Sequence, residues 1–336
     1  MATFAAHLDT RLGTADLERI PNRNGYGEGL REAGERDERI VALCADLTES
    51  TRTHHFAEAF PRRFVQVGVA EQNLAACASG MAAMGKIPFV ASYAMFSPGR
   101  NWEQIRTTIA YNDQNVKVIG AHAGISVGPD GATHQALEDI AIMRVMPNVV
   151  VLAPADVHEA RKATLAAAEY EGPVYLRVAR APTPVVTTPE SPFTIGVAER
   201  LADRNRGHEQ TVGLVVTGTL LHSALMAARI LNTEHGIGAS VLHMPTVKPL
   251  DTEALDAFAK EHGRLVTIEE HQRFGGFGSA VCEYLAQERP TRVARIGMDD
   301  QFGQSGEPDE LLAHYGFDAE GVVRTTREFV AATTTE

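Results

Sequence analysis

Five polar side chains stand just past the points where short apolar, β-branched runs of this sequence stop: Asp46 and Ser50 after the first run, Glu71 after the second, His122 after the fourth and Arg180 after the last. If those runs are strands of an open parallel sheet, these positions lie outside the carboxyl ends, where such folds bind ligands. The loop Gly128-Pro-Asp-Gly-Ala-Thr-His134 joins them, its glycines letting the backbone turn sharply and come close to a ligand. Asp130 and His134 sit in that loop, and a Gly-flanked strand end is an unfavourable place for polar side chains that have no ligand to meet. A histidine there can move protons near neutral pH. Glu71 opens an alanine-rich helix, so by itself it reads as a carboxylate stabilised by the helix N-terminus.

The elements that must carry these residues follow from pattern. From Arg39 to Arg180 the β-branched runs alternate with longer amphipathic stretches, as expected of a parallel sheet covered by helices on both faces. Strands are predicted at Ile40–Ala45, Phe64–Val69, Pro88–Tyr93, Val116–Ala121, Val149–Ala153 and Val174–Val178, with helices at Glu71–Met84, Trp102–Tyr111, His134–Val145 and His158–Tyr170. The last helix is announced by Asp156 with Glu159 three residues on, a capping-box arrangement. Four prolines between Ala181 and Pro192 deny helix and central strand alike and predict an extended linker over 181–194. A second α/β alternation follows, with strands at Thr211–Thr217, Ala239–His243 and Leu265–Ile268 and helices at Leu221–Leu231 and Thr252–Glu261. The expected chain is therefore α/β with two doubly wound domains, 23–180 and 195–330. An extension, 1–22, precedes them, and a low-complexity tail, 331–336, is expected to be disordered.

Composition excludes several roles. The chain has 336 residues, enough for two cores, and its 43 acidic against 31 basic residues give a net charge of -12, which repels nucleic acid and anionic membrane. A few arginines and histidines in a cleft still reverse that field locally and admit a phosphorylated substrate. Cys44, Cys77 and Cys282 lack metal-ligand spacing and read as small buried hydrophobes. No signal or transit peptide is evident, and the most apolar stretch, Val212 to Ile230, is broken by polar residues, so a cytoplasmic protein without a membrane segment is expected. The glycines of Gly275-Gly-Phe-Gly lack a P-loop lysine and read as close packing at a helix start.

Four segments, in order, resemble the transketolase family: Ala45-Asp-Leu-Thr-Glu-Ser50, Gly68-Val-Ala-Glu-Gln-Asn73, Phe96-Ser-Pro-Gly-Arg-Asn-Trp-Glu-Gln-Ile-Arg106 and Val127-Gly-Pro-Asp-Gly-Ala-Thr-His-Gln-Ala-Leu-Glu-Asp139. The likeness covers roughly residues 20 to 330, on the scale of the two domains expected from length. It corresponds to the C-terminal half of the full-length enzyme, a pyrimidine-binding domain followed by a C-terminal domain. By this resemblance the cofactor is thiamine diphosphate, and Glu71 is the carboxyl that bonds pyrimidine N1′. Phe96 is the first candidate to stack on the pyrimidine. Tyr93 and Trp102 lie in the same segment and are as well explained by core packing. The resemblance further implies that Arg23, Ser50, His122 and Arg180 bind substrate phosphate, and that Asp130 and His134 contact the hydroxyls beside the reacting carbon. The implied reaction moves a two-carbon ketol unit from a ketose phosphate to an aldose phosphate.

The family's metal and diphosphate motif, Gly-Asp-Gly followed by paired asparagines, does not occur in these 336 residues. A separate transketolase N-terminal (diphosphate-binding) subunit is therefore expected, holding most of the contacts to Mg2+ or Ca2+ and sharing the cofactor in an α2β2 heterotetramer. Other expectations compatible with the motifs are a beta-type subunit of a 2-oxoacid dehydrogenase, a deoxyxylulose-phosphate-synthase-like enzyme, or an assembly subunit without chemistry. The phosphate-binding set argues against the first and the usual single-chain form of the second. Retention of Glu71, Asp130 and His134 argues against the third.

Overall fold

The computed structural model describes residues 3–205 and 207–334. A seven-stranded sheet runs in the spatial order Thr246–Lys248, Val150–Leu152, Val174–Arg177, Lys117–Ala121, Ile87–Tyr93, Ile40–Cys44, Phe64–Gln66. Every neighbouring pair is parallel except the first, where Thr246–Lys248 reaches over from the second half of the chain. The central strands are wholly buried and mostly apolar on both faces, with Lys117 and Arg177 as charged exceptions, as befits a sheet covered by helices on two sides. A six-stranded sheet forms the second half, with Arg292–Met298, Arg264–Gln272, Gln210–Val216 and Ile237–His243 parallel, and Glu199–Asp203 and Thr3–Phe4 antiparallel at one edge.

Several expectations need correction. Within the 1–22 extension, Thr3–Phe4 joins the second sheet, and Arg19–Pro21 pairs with Pro182–Pro184 of the proline-rich segment. That segment is extended, and Asp156 fastens it by accepting hydrogen bonds from the Val186 and Thr187 N–H groups. The last helix, Ala319–Thr334, carries through residues 331–334 of the tail expected to be disordered; 335 and 336 lie outside the described residues. Trp102–Gln104 is followed by a π-helical stretch, Ile105–Ala110, in place of one α-helix. The helix expected from His134 begins only at Asp139. Ala136 is taken up by a bridge to Ala123, and the Gly124 N–H donates to Ala136 O at 2.9 Å, which holds 134–138 as a turn.

A helix the patterning did not predict, Asn22–Arg36, supplies Arg23. Its glycines form a contact face: a Cβ on Gly25 would stand 1.9 Å from Val157 O, and one on Gly29 would stand 2.8 Å from Arg161 O. Their bareness lets this helix lie against Val157–Glu169, which begins after Asp156 as predicted, with the Asp156 carboxylate accepting from the His158 and Glu159 N–H groups. The glycines of 275–278 also open a helix, Phe277–Glu288, whose first N–H groups are already bonded to Glu269.

Glu159 faces the second half. Its oxygens lie 3.0 and 2.9 Å from Nε2 of fully buried His243, whose Nδ1 is 3.3 Å from Val216 O. Both ring nitrogens meet acceptors, so both carry hydrogen. Burial works to lower the His243 pKa, but the Glu159 charge and hydrogen bonds outweigh it and leave the pKa raised. Asp156 adds to that attraction, and the nearby His7–Glu199 pair belongs to the same group of charges. A raised folded pKa gives stability that is complete below the unfolded value of ~6.5 and is lost as pH climbs through the folded one. Melting temperature is thus expected to fall as pH rises above ~6.5, with that component missing in His243→Leu. This variant, which strands the Glu159 carboxylate, should be less stable near neutrality by ~3–5 kcal/mol. Thermal melts across that range check both.

Candidate active site

The carboxyl ends of five adjacent parallel strands converge on one edge of the first sheet. Arg180 follows Val174–Arg177, His122 follows Lys117–Ala121, Tyr93 ends Ile87–Tyr93, Ser50 follows Ile40–Cys44, and Glu71 follows Phe64–Gln66. Two of the strands break in the left-handed region, at Asp46 (φ 61°) and His122 (φ 55°). Non-glycine residues held there are characteristic of functional sites.

Glu71 is the first residue of helix Glu71–Ala83 and is 2% exposed. Among the described residues its Oε2 has no hydrogen-bond partner, and Nη1 of the exposed Arg100 stands 3.8 Å off. Buried Asn101 fixes this corner by donating to Glu71 O at 2.9 Å and to Ser97 Oγ at 3.2 Å. Nothing in the sequence pattern singled out Asn101 or Arg100. A buried carboxylate oxygen left unpaired is unfavourable without a ligand, and this one fits a nitrogen heterocycle that offers a proton.

Tyr93 and Phe96 present half-exposed rings, stacked at 6.1 Å between centroids. His122 stacks on Tyr93 at 3.8 Å, and His134 meets the Phe96 ring edge-on at 5.5 Å. Trp102 is elsewhere: its indole packs against the core and donates to Ile142 O at 2.7 Å, the contacts of a packing residue.

Beneath the aromatic pair lies a cluster of positive charge. Arg23 Nη1 donates to Ser50 O at 2.6 Å and to His122 Nε2 at 3.0 Å. Because an arginine only donates, His122 Nε2 must accept, which makes the ring neutral and puts its hydrogen on the unpartnered Nδ1. Burial first, then Arg23 and Arg180, push the His122 pKa down to about 2. Burial, followed by Arg52 and Arg180, lowers Arg23 to about 10. An anion would relieve this crowding of like charge. Arg23 and Arg180 also line a cleft of ≈ 540 Å³ together with Arg19, Glu307 and Asp309, where Arg19 is paired with Asp309 at 2.6 Å.

In the glycine loop, φ is +83° at Gly128 and +71° at Gly131, so the predicted sharp turn is present. Asp130 is exposed on it. His134 Nδ1 lies 2.8 Å from Thr133 Oγ1. The structure thus gathers Tyr93, Phe96, His122 and His134 through ring contacts, and Arg23, Ser50, His122 and Arg180 through polar and charge contacts. Asp130 stands on the rim, and Trp102 is apart.

This edge brings together a buried carboxylate, flat aromatic faces and a basic cluster, an arrangement whose chemistry suits a heterocycle and an anion. Comparison with known proteins agrees: residues 18–185 match the transketolase pyrimidine binding domain, and 200–322 match the transketolase C-terminal domain. The chain belongs to the transketolase family and carries its pyrimidine-binding and C-terminal domains. It is 38% identical to one subunit of the apulose-4-phosphate transketolase of Phocaeicola vulgatus, over 93% of this chain and 98% of that one. It is 39% identical to the 6-deoxy-6-sulfo-D-fructose transketolase subunit SqwH of a Clostridium species, over 91% of this chain and 93% of that one. Among solved structures, a split gene transketolase described as an inactive beta4 tetramer superposes with a TM-score of 0.84 at 43% identity, over 93% of this chain and 99% of that one. No helix among the described residues is long and apolar enough to cross a membrane.

Proposed function

We propose that this chain is the pyrimidine-binding subunit of a two-subunit transketolase, which transfers a two-carbon ketol unit from a ketose phosphate to an aldose phosphate. The observation that carries this reading is the buried, unpartnered Oε2 of Glu71, on the same sheet edge as the aromatic pair and the arginine cluster. Thiamine diphosphate, when bound, supplies the nucleophilic carbon and the electron sink for breaking the ketose C2–C3 bond. Glu71 Oε2 shares a proton with pyrimidine N1′, and Tyr93 and Phe96 give the ring flat apolar faces. Arg23, Arg180 and the Nδ1–H of His122 hold the phosphate. Asp130 and His134 orient the hydroxyls next to the reacting carbon, which is where positioning contributes most.

The need for a partner is supported by the relatives. The apulose-4-phosphate enzyme's chain is named as one subunit of a transketolase, and the split-gene chain forms, by its own description, an inactive tetramer. Val69, two residues before Glu71, and Met95, between Tyr93 and Phe96 in the sequence, are exposed apolar side chains that suit coverage by a second polypeptide. We assign to that polypeptide the diphosphate-binding domain and the Mg2+ or Ca2+, in an α2β2 assembly. The relatives' named sugars carry a phosphate or a sulfonate, so an anionic terminus is the shared demand on the arginine cluster. Ketol transfer by the mixed subunits, assayed with donors that differ only in this terminus, tests the reading. Turnover should require the anion, and equal turnover of a neutral donor would contradict the assignment.

A further inference from the structure

The loop that bears Asp130 and His134 is held from the other half of the molecule. Glu270, buried on Arg264–Gln272, accepts from the Ser126 N–H at 2.6 Å through one carboxylate oxygen and from the Thr219 hydroxyl at 2.8 Å through the other. The chain is shaped to receive it: Gly124 has φ +89°, and a Cβ there would stand 2.4 Å from Glu270 Oε1. The far end of the loop is tied to the same residue. Arg177 Nη2 donates to Glu270 O at 2.8 Å and reaches Ala136 O at 3.4 Å, while its Nε donates to Asp139 at 2.8 Å. A buried carboxylate is tolerated only where its oxygens are satisfied, and here the two donors come one from the loop and one from the second domain. The near end of the segment between His122 and Asp139 is therefore held by the Glu270 side chain, and the far end by Arg177, which leans on the Glu270 backbone carbonyl and Asp139.

We propose that Glu270 is a positioning residue for ketol transfer: it grips the Ser126 N–H and Thr219, fixing the loop that presents Asp130 and His134, so that the C-terminal domain takes part in substrate recognition. The inference rests on the transketolase reading above. In the complex with a diphosphate-binding subunit, with xylulose 5-phosphate as donor and ribose 5-phosphate as acceptor, Glu270→Ala, which removes both acceptors, raises the KM for the donor about tenfold. In the same variant kcat stays within about threefold, and thiamine diphosphate affinity is unchanged. Amide exchange over residues 124–136, followed by mass spectrometry, quickens while exchange in the strands of the first sheet does not. Thr219→Val removes the second donor and leaves Glu270 in place. It gives a smaller rise in the same KM and stands as the test if Glu270→Ala does not assemble. A wild-type complex without ketol transfer defeats the transketolase reading and this proposal together. An active wild type, with assembled variants that melt earlier yet keep its donor KM, overturns the role of Glu270 alone.

Discussion

Replacing Glu71 by alanine is expected to leave a folded subunit that assembles and does not turn over. Among the described residues the side chain makes no hydrogen bond through Oε2, and its ionic neighbour is an exposed arginine at 3.8 Å. The Asn101 bond goes to the Glu71 carbonyl and survives the substitution. Stability should therefore change little, while proton sharing at a positioned atom, typically worth ~10²–10⁴ in rate, is lost. Glu71→Gln separates shape from proton sharing: it keeps the volume, cannot ionise, and should be nearly as inactive. The check is kcat for ketol transfer in the reconstituted complex beside a thermal melt of each variant. Normal turnover in Glu71→Ala would remove this residue from the mechanism.

The second large effect concerns Arg180. It is half-buried, its Nη1 donates to Val127 O at 3.0 Å, and its charge is among those that depress Arg23 and His122. Arg180→Ala removes one of the charge-assisted bonds to a phosphate, and such bonds contribute ~1.5–3 kcal/mol each. Since 1.4 kcal/mol is about tenfold, KM for a ketose phosphate should rise by about one to two orders of magnitude, with kcat much less affected. An unphosphorylated ketose should show almost no change between wild type and variant. Steady-state kinetics with both donors decides it, and equal losses on both would mean that Arg180 supports the loop through Val127 and does not meet phosphate. Loss of its positive charge should also ease protonation of His122, because a neighbouring cation disfavours imidazolium.

Local sequence carried much of this site. Glu71, His122 and Arg180 were legible because strand ends can be read from β-branched runs, and the parallel sheet then sets those ends side by side. The glycine loop was legible because Gly128 and Gly131 take up the left-handed backbone that their position suggested. Helix Asn22–Arg36 was not, since four glycines lower intrinsic helix propensity and only the partner helix reveals that their bareness serves packing. The helix expected from His134 starts five residues later, at Asp139, because the bridge of Ala136 to Ala123 is tertiary and leaves no local signal. Trp102 looked like a ring for stacking by its segment, yet its partner Ile142 lies 40 residues away. Glu270 could not be found at all, as 144 residues separate it from Ser126.

The most direct test of the central claim is ketol transfer from xylulose 5-phosphate to ribose 5-phosphate, with thiamine diphosphate and magnesium, using this chain alone and then mixed with a transketolase N-terminal subunit. Activity in the mixture and none from the chain alone is the predicted result. Activity from this chain by itself would contradict the claim that its active site is completed by a second polypeptide.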